Sequence, residues 1–448
     1  MKNILVWGCG KSGVSAFEIL HNKKDIFFLY DISSELQMKM IESNKKRNNV
    51  FVLSQIDKNM IDKLDLIVIS PGVSIYEKYI QYAKSIGVSV VSELELGFLN
   101  ANGIFFAITG TNGKTTTTKL LFDMFKFDGK KTELVGNIGI PVCERVEKHK
   151  KTKMNYVCEV SSFQLEATKK FKPHIAGILN ITSDHIDRHK NFSNYQNTKF
   201  SIAKNMTEKD FLVLNNNSEE IKPILNTISC QVYFFDVEKK CLGTYLKGHD
   251  IFFNNGRKEM IVANIDNCTL FGKHNMENIL CAVCMALLSG ISKKSIQKAI
   301  DNFEGFPHRL ERFAVINGVT YVDDSKATNI DATRVAINAM SYPTILLLGG
   351  SDKGYEFDAI FANISQKVKY IVAFGATKNK IAESARKYSF VNIDVVDNMK
   401  NAVKFAKTIA VPGDCVLLSP ACASFDEFKN YKERGEKFRE FVEVDFEN

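Results

Sequence analysis

Two glycine loops hold the residues whose types and spacing most clearly imply chemistry. Residues 105–121, "FFAITGTNGKTTTTKLL", read as a strand, a glycine turn and a helix start. Gly113, Lys114 and Thr115 match the end of the phosphate-loop pattern G-x-x-x-x-G-K-[ST], but the position for its first glycine is Ile108. Gly110 remains available for the turn, so the loop is shortened rather than lost. Backbone N–H groups of such a loop cradle phosphates, its lysine reaches the β and γ phosphates, and the Thr115 hydroxyl can ligate magnesium. An ordinary βα turn explains neither the Lys-Thr pair nor the lack of a bulky apolar residue between Gly110 and Thr118.

The other loop, "GCGKSG", sets Gly8, Gly10 and Gly13 between a strand and a helix, and Asp31 ends the next strand. That is where a dinucleotide fold keeps its ribose-binding acid, so this loop alone favours an NAD-dependent oxidoreductase. A helix N-terminus with bare N–H groups nevertheless stabilises any diphosphate, a UDP-sugar included. More polar groups gather at later strand ends. Glu159 lies in "CEVSSFQLE" between Cys158 and Val160, in a strand that reads as buried. "NITSDHIDRH" crowds Asp184, His185, Asp187, Arg188 and His189 into one loop. Lys199, on a helical pattern, reads by itself as a solvated charge. His274, Asn275 and Asn278 share the start of a helix, where asparagine is often just a cap. "FPHRLER" supplies Arg309, and "VDDSKATN" supplies Asp324, Lys326 and Thr328 at a strand end.

The elements that must position these groups are α/β throughout. Short runs such as "NILVWG", "DIFFLYD", "VFVLS", "LIVIS" and "VSVVSE" alternate with amphipathic stretches over residues 1–93, giving a Rossmann-like N-terminal domain. A central P-loop-type mononucleotide-binding α/β domain spans 94–306. Within it, 230–272 ("QVYFFD", "DIFFNNG") read as a small antiparallel sheet, followed by helices at about 274–289 and 293–303. A C-terminal Rossmann-like domain covers 307–448, after a hinge at "GFPHRLERF". Its last segment reads as an amphipathic helix with Phe425, Phe428, Tyr431 and Phe438 on the apolar face, Phe428 and Phe438 in the core.

The 448 residues call for two or three domains, and 45% hydrophobic with 25% charged residues fits a soluble globular protein. The net charge of +8 is a mild excess without a basic tract, the densest cluster being "NKKRNN". Nucleic acid is therefore not an expected partner, while anionic substrates suit the charge. Cys281 and Cys284 sit in an apolar helical run and read as core thiols rather than a zinc or redox pair. Free thiols, no cleavable signal and no span-length apolar stretch imply a cytoplasmic location and no membrane partner.

"TGTNGKTTT" resembles the ATP loop of the Mur ligases and the related folylpolyglutamate synthetases, which are ATP-dependent carboxylate–amine ligases. Later motifs recur in order, so the resemblance covers essentially the whole chain. It implies ATP at Gly110, Thr111, Asn112, Gly113, Lys114, Thr115 and Thr116, with Asn275 and Asn278 lining the site and Arg309 and Asp324 closing over the nucleotide. It implies two magnesium ions held by Thr115, Glu159, His185 and a carbamylated Lys199, with Asp184 associated. Lys114, Glu159, His185, Lys199 and Lys326 form the implied catalytic set. Ser12 would meet a pyrophosphate and Asp31 would lie near uridine. Gly72 of "SPGV" and Asn137 of "GNIG" would contact the sugar–peptide arm, and Ser161 and Gln164 would also bind the UDP substrate.

"LLLGGSDKG" and "LLSPACASFDEFKNYKERGEKF" look like the branch of the family that adds D-glutamate to UDP-N-acetylmuramoyl-L-alanine; the "DNPR"-type motif of the diamino-acid adders is absent. Lys353 and Ser424 would take the two carboxylates of D-glutamate, with Thr328 and the ring of Tyr431 completing the pocket. The implied enzyme is a monomer of peptidoglycan precursor synthesis working through an acyl phosphate. Four readings compete with it. Another Mur-type ligase would add L-alanine or a diamino acid. A folylpolyglutamate synthetase would not need the UDP-type N-terminal domain. A dehydrogenase leaves "TGTNGKT", "SDH" and "DDSKATN" unexplained, and a non-catalytic nucleotide-binding regulator would not need so many polar groups at strand ends.

Overall fold

The structure is a computed structural model that describes residues 1–444 apart from 269, 271, 355, 363 and 365. The first five strands are β1 (Asn3–Trp7), β2 (Ile26–Tyr30), β3 (Val50–Val52), β4 (Leu66–Ile69) and β5 (Ser89–Ser92). They form one parallel sheet in the order β3-β2-β1-β4-β5. Ile4, Leu5 and Val6 of the central strand are all buried. A parallel sheet covered on both faces requires such an unbroken apolar run. Strand order reverses at β1, and there the Ser70 hydroxyl donates to the Gly8 carbonyl at 2.7 Å. Crevices at such switch points, outside the carboxyl ends of the strands, are where α/β sheets hold ligands.

The next nine strands are β6 (Gly103–Thr109), β7 (Thr132–Gly136), β8 (Met154–Glu159), β9 (Ile175–Ile178), β10 (Phe211–Asn215), β11 (Gln231–Asp236), β12 (Gly243–Lys247), β13 (Asp250–Asn254) and β14 (Glu259–Asn264). Their order is β14-β13-β12-β11-β10-β9-β6-β8-β7. Since β6 lies between β8 and β9, the loop after β6 meets the ends of both neighbours. "QVYFFD", expected to be antiparallel, is β11 and pairs in parallel with β10 and β12. The crossover at 216–230, with its 3-10 helix Glu219–Asn226, returns the chain to the same end of the sheet. Antiparallel pairing begins only at β12–β13, and these strands extend the central sheet at its edge.

The remaining strands are β15 (Glu311–Ile316), β16 (Val319–Asp323), β17 (Thr344–Gly349), β18 (Val368–Phe374), β19 (Ile393–Val395) and β20 (Cys415–Leu418). They are ordered β15-β16-β20-β17-β18-β19, with only the β15–β16 pair antiparallel. The sequence reading saw a hinge where β15 starts. Asn317 and Gly318, at φ 51° and 77°, form the tight turn of this hairpin, and "NG" was the available signal. The expected C-terminal helix is Tyr431–Glu443 and is capped by the Asn430 side chain, so Phe425 and Phe428 precede it. Phe438 is fully buried as expected, but Phe425 is 74% exposed.

The first two sheets fall in one compact unit, Met1–Cys268 with Glu277–Asn302; the third falls in the other, Thr269–Met276 with Phe303–Asn448. Within the first unit, the helix Glu93–Asn100 couples the two sheets through buried carboxylates. Glu95 accepts the N–H groups of Lys169, Lys170 and Phe171 at 3.0, 2.7 and 2.9 Å, and Glu93 accepts that of Cys143 at 2.6 Å. Cys281 and Cys284 are fully buried free thiols, as read. Among the described residues no helix is long and apolar enough to cross a membrane.

The first glycine loop makes a paired prediction. A Cβ on Gly13 would sit 1.7 Å from the Gly8 carbonyl oxygen, whereas one on Gly10 would meet nothing within 4 Å. Gly13→Ala should therefore lower unfolding stability by about 1–3 kcal/mol through enforced overpacking. Gly10→Ala should stay within about 0.5 kcal/mol of the parent. Denaturant midpoints of the two variants check both.

Candidate active site

The second glycine loop is closed by groups that a linear reading could not pair. Gly113, at φ +84°, precedes the helix Lys114–Phe127. A Cβ there would fall 2.1 Å from Asn278 Oδ1, so glycine is what lets the helix Lys273–Leu288 approach the loop. Asn278 is buried and also accepts the Thr117 hydroxyl at 3.3 Å. Asn180, which follows β9 and was not singled out from sequence, pins the loop from the other side. Its carbonyl accepts Thr111 N–H at 2.9 Å and its Oδ1 accepts Asn112 N–H at 2.8 Å. The Thr111 hydroxyl pairs with the Thr182 backbone and, at 3.0 Å, with the Tyr195 hydroxyl. Thr115 stands half-buried in the first helical turn, and Thr116 beside it is buried.

Two lysine amines converge on this loop. Lys114 Nζ donates to the carbonyls of Gly110 at 2.9 Å and Thr111 at 2.7 Å, and Lys199 Nζ donates to the same Gly110 oxygen at 2.8 Å. Lys199 is 1% exposed, so the solvated charge read from sequence alone is overturned. Burial, aided by the charge of Lys114, holds its pKa well below that of an ordinary lysine, while Asp184 and Glu159 pull the other way. The buried Tyr195, one helical turn earlier, directs this face of the helix Phe192–Phe200 inward; its ring lies 4.7 Å from Lys199 Nζ.

Glu159 ends β8 and is 2% exposed. Its Oε1 accepts Asn137 Nδ2 at 2.7 Å, while its Oε2 is buried without a hydrogen-bond partner. Such an oxygen is costly unless something compensates it, and a hard cation would. Among the described residues no three His, Cys, Asp or Glu side chains gather into a metal cage. One or two carboxylates completed by substrate phosphates is how magnesium is commonly held, so the residues present fit that ion.

The polar cluster after β9 divides by depth. His185, at φ 52°, has its ring 4.8 Å from Phe163 and 3.6 Å from Asp184. Partial burial lowers its pKa, against the opposing pull of Asp184 and Asp187. His189 is buried against the Ser162 hydroxyl at 3.0 Å, with its pKa lowered to about 4, and serves as a core residue. Arg188 turns toward the first sheet.

Residues expected at the substrate handle occupy two places. Ser12 lies half-buried in the first turn of the helix Lys11–Leu20. Asp31 accepts the N–H of Cys9 at 2.6 Å and of Ser33 at 2.9 Å, bracing its own loop. Gly72 is exposed on the loop after β4. Asn137 meets Glu159, and Ser161 and Gln164 bond each other in a capping box on the helix Ser162–Leu165.

In the second unit, Asp324 is buried rather than solvated. It accepts the Ser419 hydroxyl at 2.8 Å and Leu310 N–H at 3.2 Å; burial raises its pKa to about 7 despite these bonds and the nearby Arg309. Asn275 is buried, its N–H bonded to the Gly272 carbonyl at 3.0 Å. Lys326 Nζ lies 3.9 Å from the Tyr431 ring centroid, and Lys353 Nζ donates to the Thr328 carbonyl at 3.2 Å. Ser424 is buried. The fully buried Arg434 joins these segments, donating to the Ser325 hydroxyl and to the carbonyls of Ser325, Cys422 and Ala423 at 2.9–3.0 Å. The sequence reading missed Arg434. Its place one helical turn before Phe438, on the apolar face, was the signal.

Comparison with known proteins agrees along the whole chain. Residues 2–92 match the model of the Mur ligase MurD-like N-terminal domain, 108–286 the Mur ligase middle domain, and 308–422 the Mur ligase glutamate ligase domain. A relative from Thermoanaerobacter sp. (strain X514), named UDP-N-acetylmuramoylalanine–D-glutamate ligase, is 40% identical over 98% of both chains. One of the same name from Lachnospira eligens is 39% identical over 98% of both. Among solved structures, a pseudomurein peptide ligase type C from Methanothermus fervidus aligns with a TM-score of 0.60 at 17% identity, covering 99% of this chain and 100% of the other. A UDP-N-acetylmuramate–alanine ligase from Thermotoga maritima aligns at 0.58 and 16%, with the same coverage. With a shortened phosphate loop, a buried lysine and a buried carboxylate at the carboxyl ends of one sheet's strands, and family models matching 2–92, 108–286 and 308–422, the chain belongs to the Mur ligase family.

Proposed function

We propose that this chain joins D-glutamate to UDP-N-acetylmuramoyl-L-alanine at the expense of ATP, in peptidoglycan precursor synthesis, as a cytoplasmic monomer. The observation that carries the reaction type is the buried Glu159 oxygen without a partner and the buried Lys199 amine beside one phosphate loop. The substrate identities follow the names of relatives that span 98% of the chain. In this reading residues 1–93 hold the UDP handle, 94–306 the ATP and 307–448 the amino acid.

The substrate carboxylate attacks the γ-phosphorus as the bond to ADP breaks, giving an acyl phosphate. The amine of D-glutamate then attacks that carbonyl, and the tetrahedral intermediate expels phosphate. Lys114, held by the Gly110 and Thr111 carbonyls, is poised to offset charge on the transferring group. Thr116, Asn112 and Asn278 line the same loop, and Asn275, Arg309 and Asp324 are assigned to the nucleotide by resemblance. Thr115, Glu159, His185 and Lys199 would hold two magnesium ions, which when bound supply Lewis-acid stabilisation of phosphoryl charge. Ser12, Asp31, Gly72, Asn137, Ser161 and Gln164 serve the nucleotide-sugar arm. Lys353, Ser424, Thr328 and Tyr431 receive D-glutamate, and Lys326 is assigned by resemblance to offsetting the negative charge of the reaction.

The state of Lys199 supports a carbamate. A neutral amine attacks carbon dioxide, forms an N–C bond and releases one proton; a protonated amine cannot. Burial pushes the pKa of this lysine well below the ordinary value, which favours the neutral amine, and the carbamate would add an oxygen donor next to Glu159.

Phosphate release with ATP, magnesium and UDP-N-acetylmuramoyl-L-alanine should be greatest with D-glutamate; equal release with L-alanine or L-lysine would refute the assignment. Lys114→Ala should lower that rate by about a hundredfold or more, as loss of a charge-stabilising donor does. A second prediction concerns pH. The folded pKa of Lys199 is depressed from the ordinary value of 10.5, so between the two values the unfolded chain binds the extra proton and stability rises with pH. In buffer freed of carbon dioxide, Lys199→Met removes this dependence and should be more stable relative to the parent at pH ~7 than at pH ~10. Labelled bicarbonate should give the parent, but not this variant, a 13C carbamate resonance.

A further inference from the structure

Arg188 is one side chain that crosses between the first two sheets, and every N–H of its guanidinium is committed. Nη1 donates to the carbonyls of Pro71 at 2.9 Å and Gly72 at 3.4 Å; Nη2 donates to that of Val73 at 2.9 Å. The other edge grips Glu166, with Nη2 at 2.6 Å and Nε at 3.2 Å from Oε2. The Glu166 side chain is 1% exposed and that of Arg188 11%. One face of the guanidinium lies 4.1 Å from the centroid of Phe163, which also neighbours the rings of His185 at 4.8 Å and His189 at 5.7 Å.

Three consecutive carbonyls directed at one buried cation is not a demand of the sheet. The loop at 71–73 follows β4 at the switch-point crevice, where Ser70 already bonds Gly8. Docking of the two sheets is also served elsewhere, by Glu95 on the N–H groups of Lys169, Lys170 and Phe171. What Arg188 adds is a fixed distance between the loop bearing Gly72 and the two segments, after β8 and after β9, that follow Glu159 and carry His185. Only a planar fork can hold three carbonyls and a carboxylate together; a lysine is a single point donor on a flexible stem.

We propose that Arg188 is a positioning residue that sets the span between the nucleotide handle of the acceptor substrate and the phosphoryl-transfer centre. This rests on the ligase reading above. Displacing the handle loop displaces the reacting carboxylate of a substrate held at both ends. A substrate lacking the uridylyl group loses its hold at Ser12 and Asp31 and keeps only the Gly72 loop at the first sheet, so it is free to shift and responds far less to that span.

The experiment is steady-state kinetics of the parent, Arg188→Lys and Arg188→Ala, with UDP-N-acetylmuramoyl-L-alanine and with 1-phospho-N-acetylmuramoyl-L-alanine, each variant's Tm being recorded. With the full substrate, kcat/KM should fall about thirtyfold or more in Arg188→Lys while KM for ATP stays within about twofold; with the truncated substrate the fall should be under about threefold. Equal losses with both substrates, an unchanged kcat/KM with the full one, or a matching rise in KM for ATP would overturn the role of Arg188. If Arg188→Ala does not fold, Arg188→Lys, which keeps the charge and most of the stem, carries the test. A parent that turns over neither substrate would overturn the ligase reading itself and this inference with it, whereas an active parent with equal losses overturns only the inference.

Discussion

Two lysine amines share the carbonyl oxygen of Gly110, and one of them is buried. Two full charges that close in a dry site repel strongly, which favours loss of a proton from one amine. The shift falls on Lys199, whose pKa is held well below the ordinary lysine value because it is the one removed from water. That asymmetry divides the roles. Lys114 lies at the helix start and is partly exposed, as suits a group that meets phosphate, while burial pushes Lys199 toward the neutral, nucleophilic amine. The rest of the central sheet serves this arrangement. Its strand order brings the ends of β8 and β9 to either side of the loop, and Tyr195 and Asn180 fasten that loop from the flanks.

The same economy of buried polar groups appears at Glu159. One oxygen is satisfied by Asn137 and the other has no protein partner. Most buried polar atoms are paired, so an exception at a strand end beside a phosphate loop is informative about function. The contrast with Glu95 makes the point. Glu95 is as deeply buried but accepts three backbone N–H groups, and its work is structural.

In the second unit, buried polar groups fix the loops. Arg434 is held by a hydroxyl and three carbonyls, which draws the segment after β16 and the segment after β20 onto one helix. Asp324 does similar work between Leu310 and Ser419. Lys326, Thr328, Lys353, Ser424 and Tyr431 lie on or beside the segments so fixed. Breaking such a centre strands a buried charge, which is why loops of this kind can be both irregular and rigid.

Strand runs, glycine loops and the place of Lys114 at a helix start were legible from sequence because each is a local pattern with a local physical cause: pleat, helix period, or a turn that needs glycine. The family resemblance was legible too, since its motifs are contiguous. The parallel pairing of "QVYFFD", the β15 hairpin and the true start of the last helix were not read correctly. The first depends on which end of the sheet a crossover returns to; the other two had signals, at Asn317-Gly318 and Asn430, that were passed over. The solvated reading of Lys199, the loop-pinning role of Asn180, the buried Arg434 and the crossing of Arg188 were decided only by tertiary structure. Each depends on desolvation or on partners far away in the chain. A sequence names the charges it carries, but whether a charge is kept, neutralised or turned into a clasp depends on how much water the fold leaves around it.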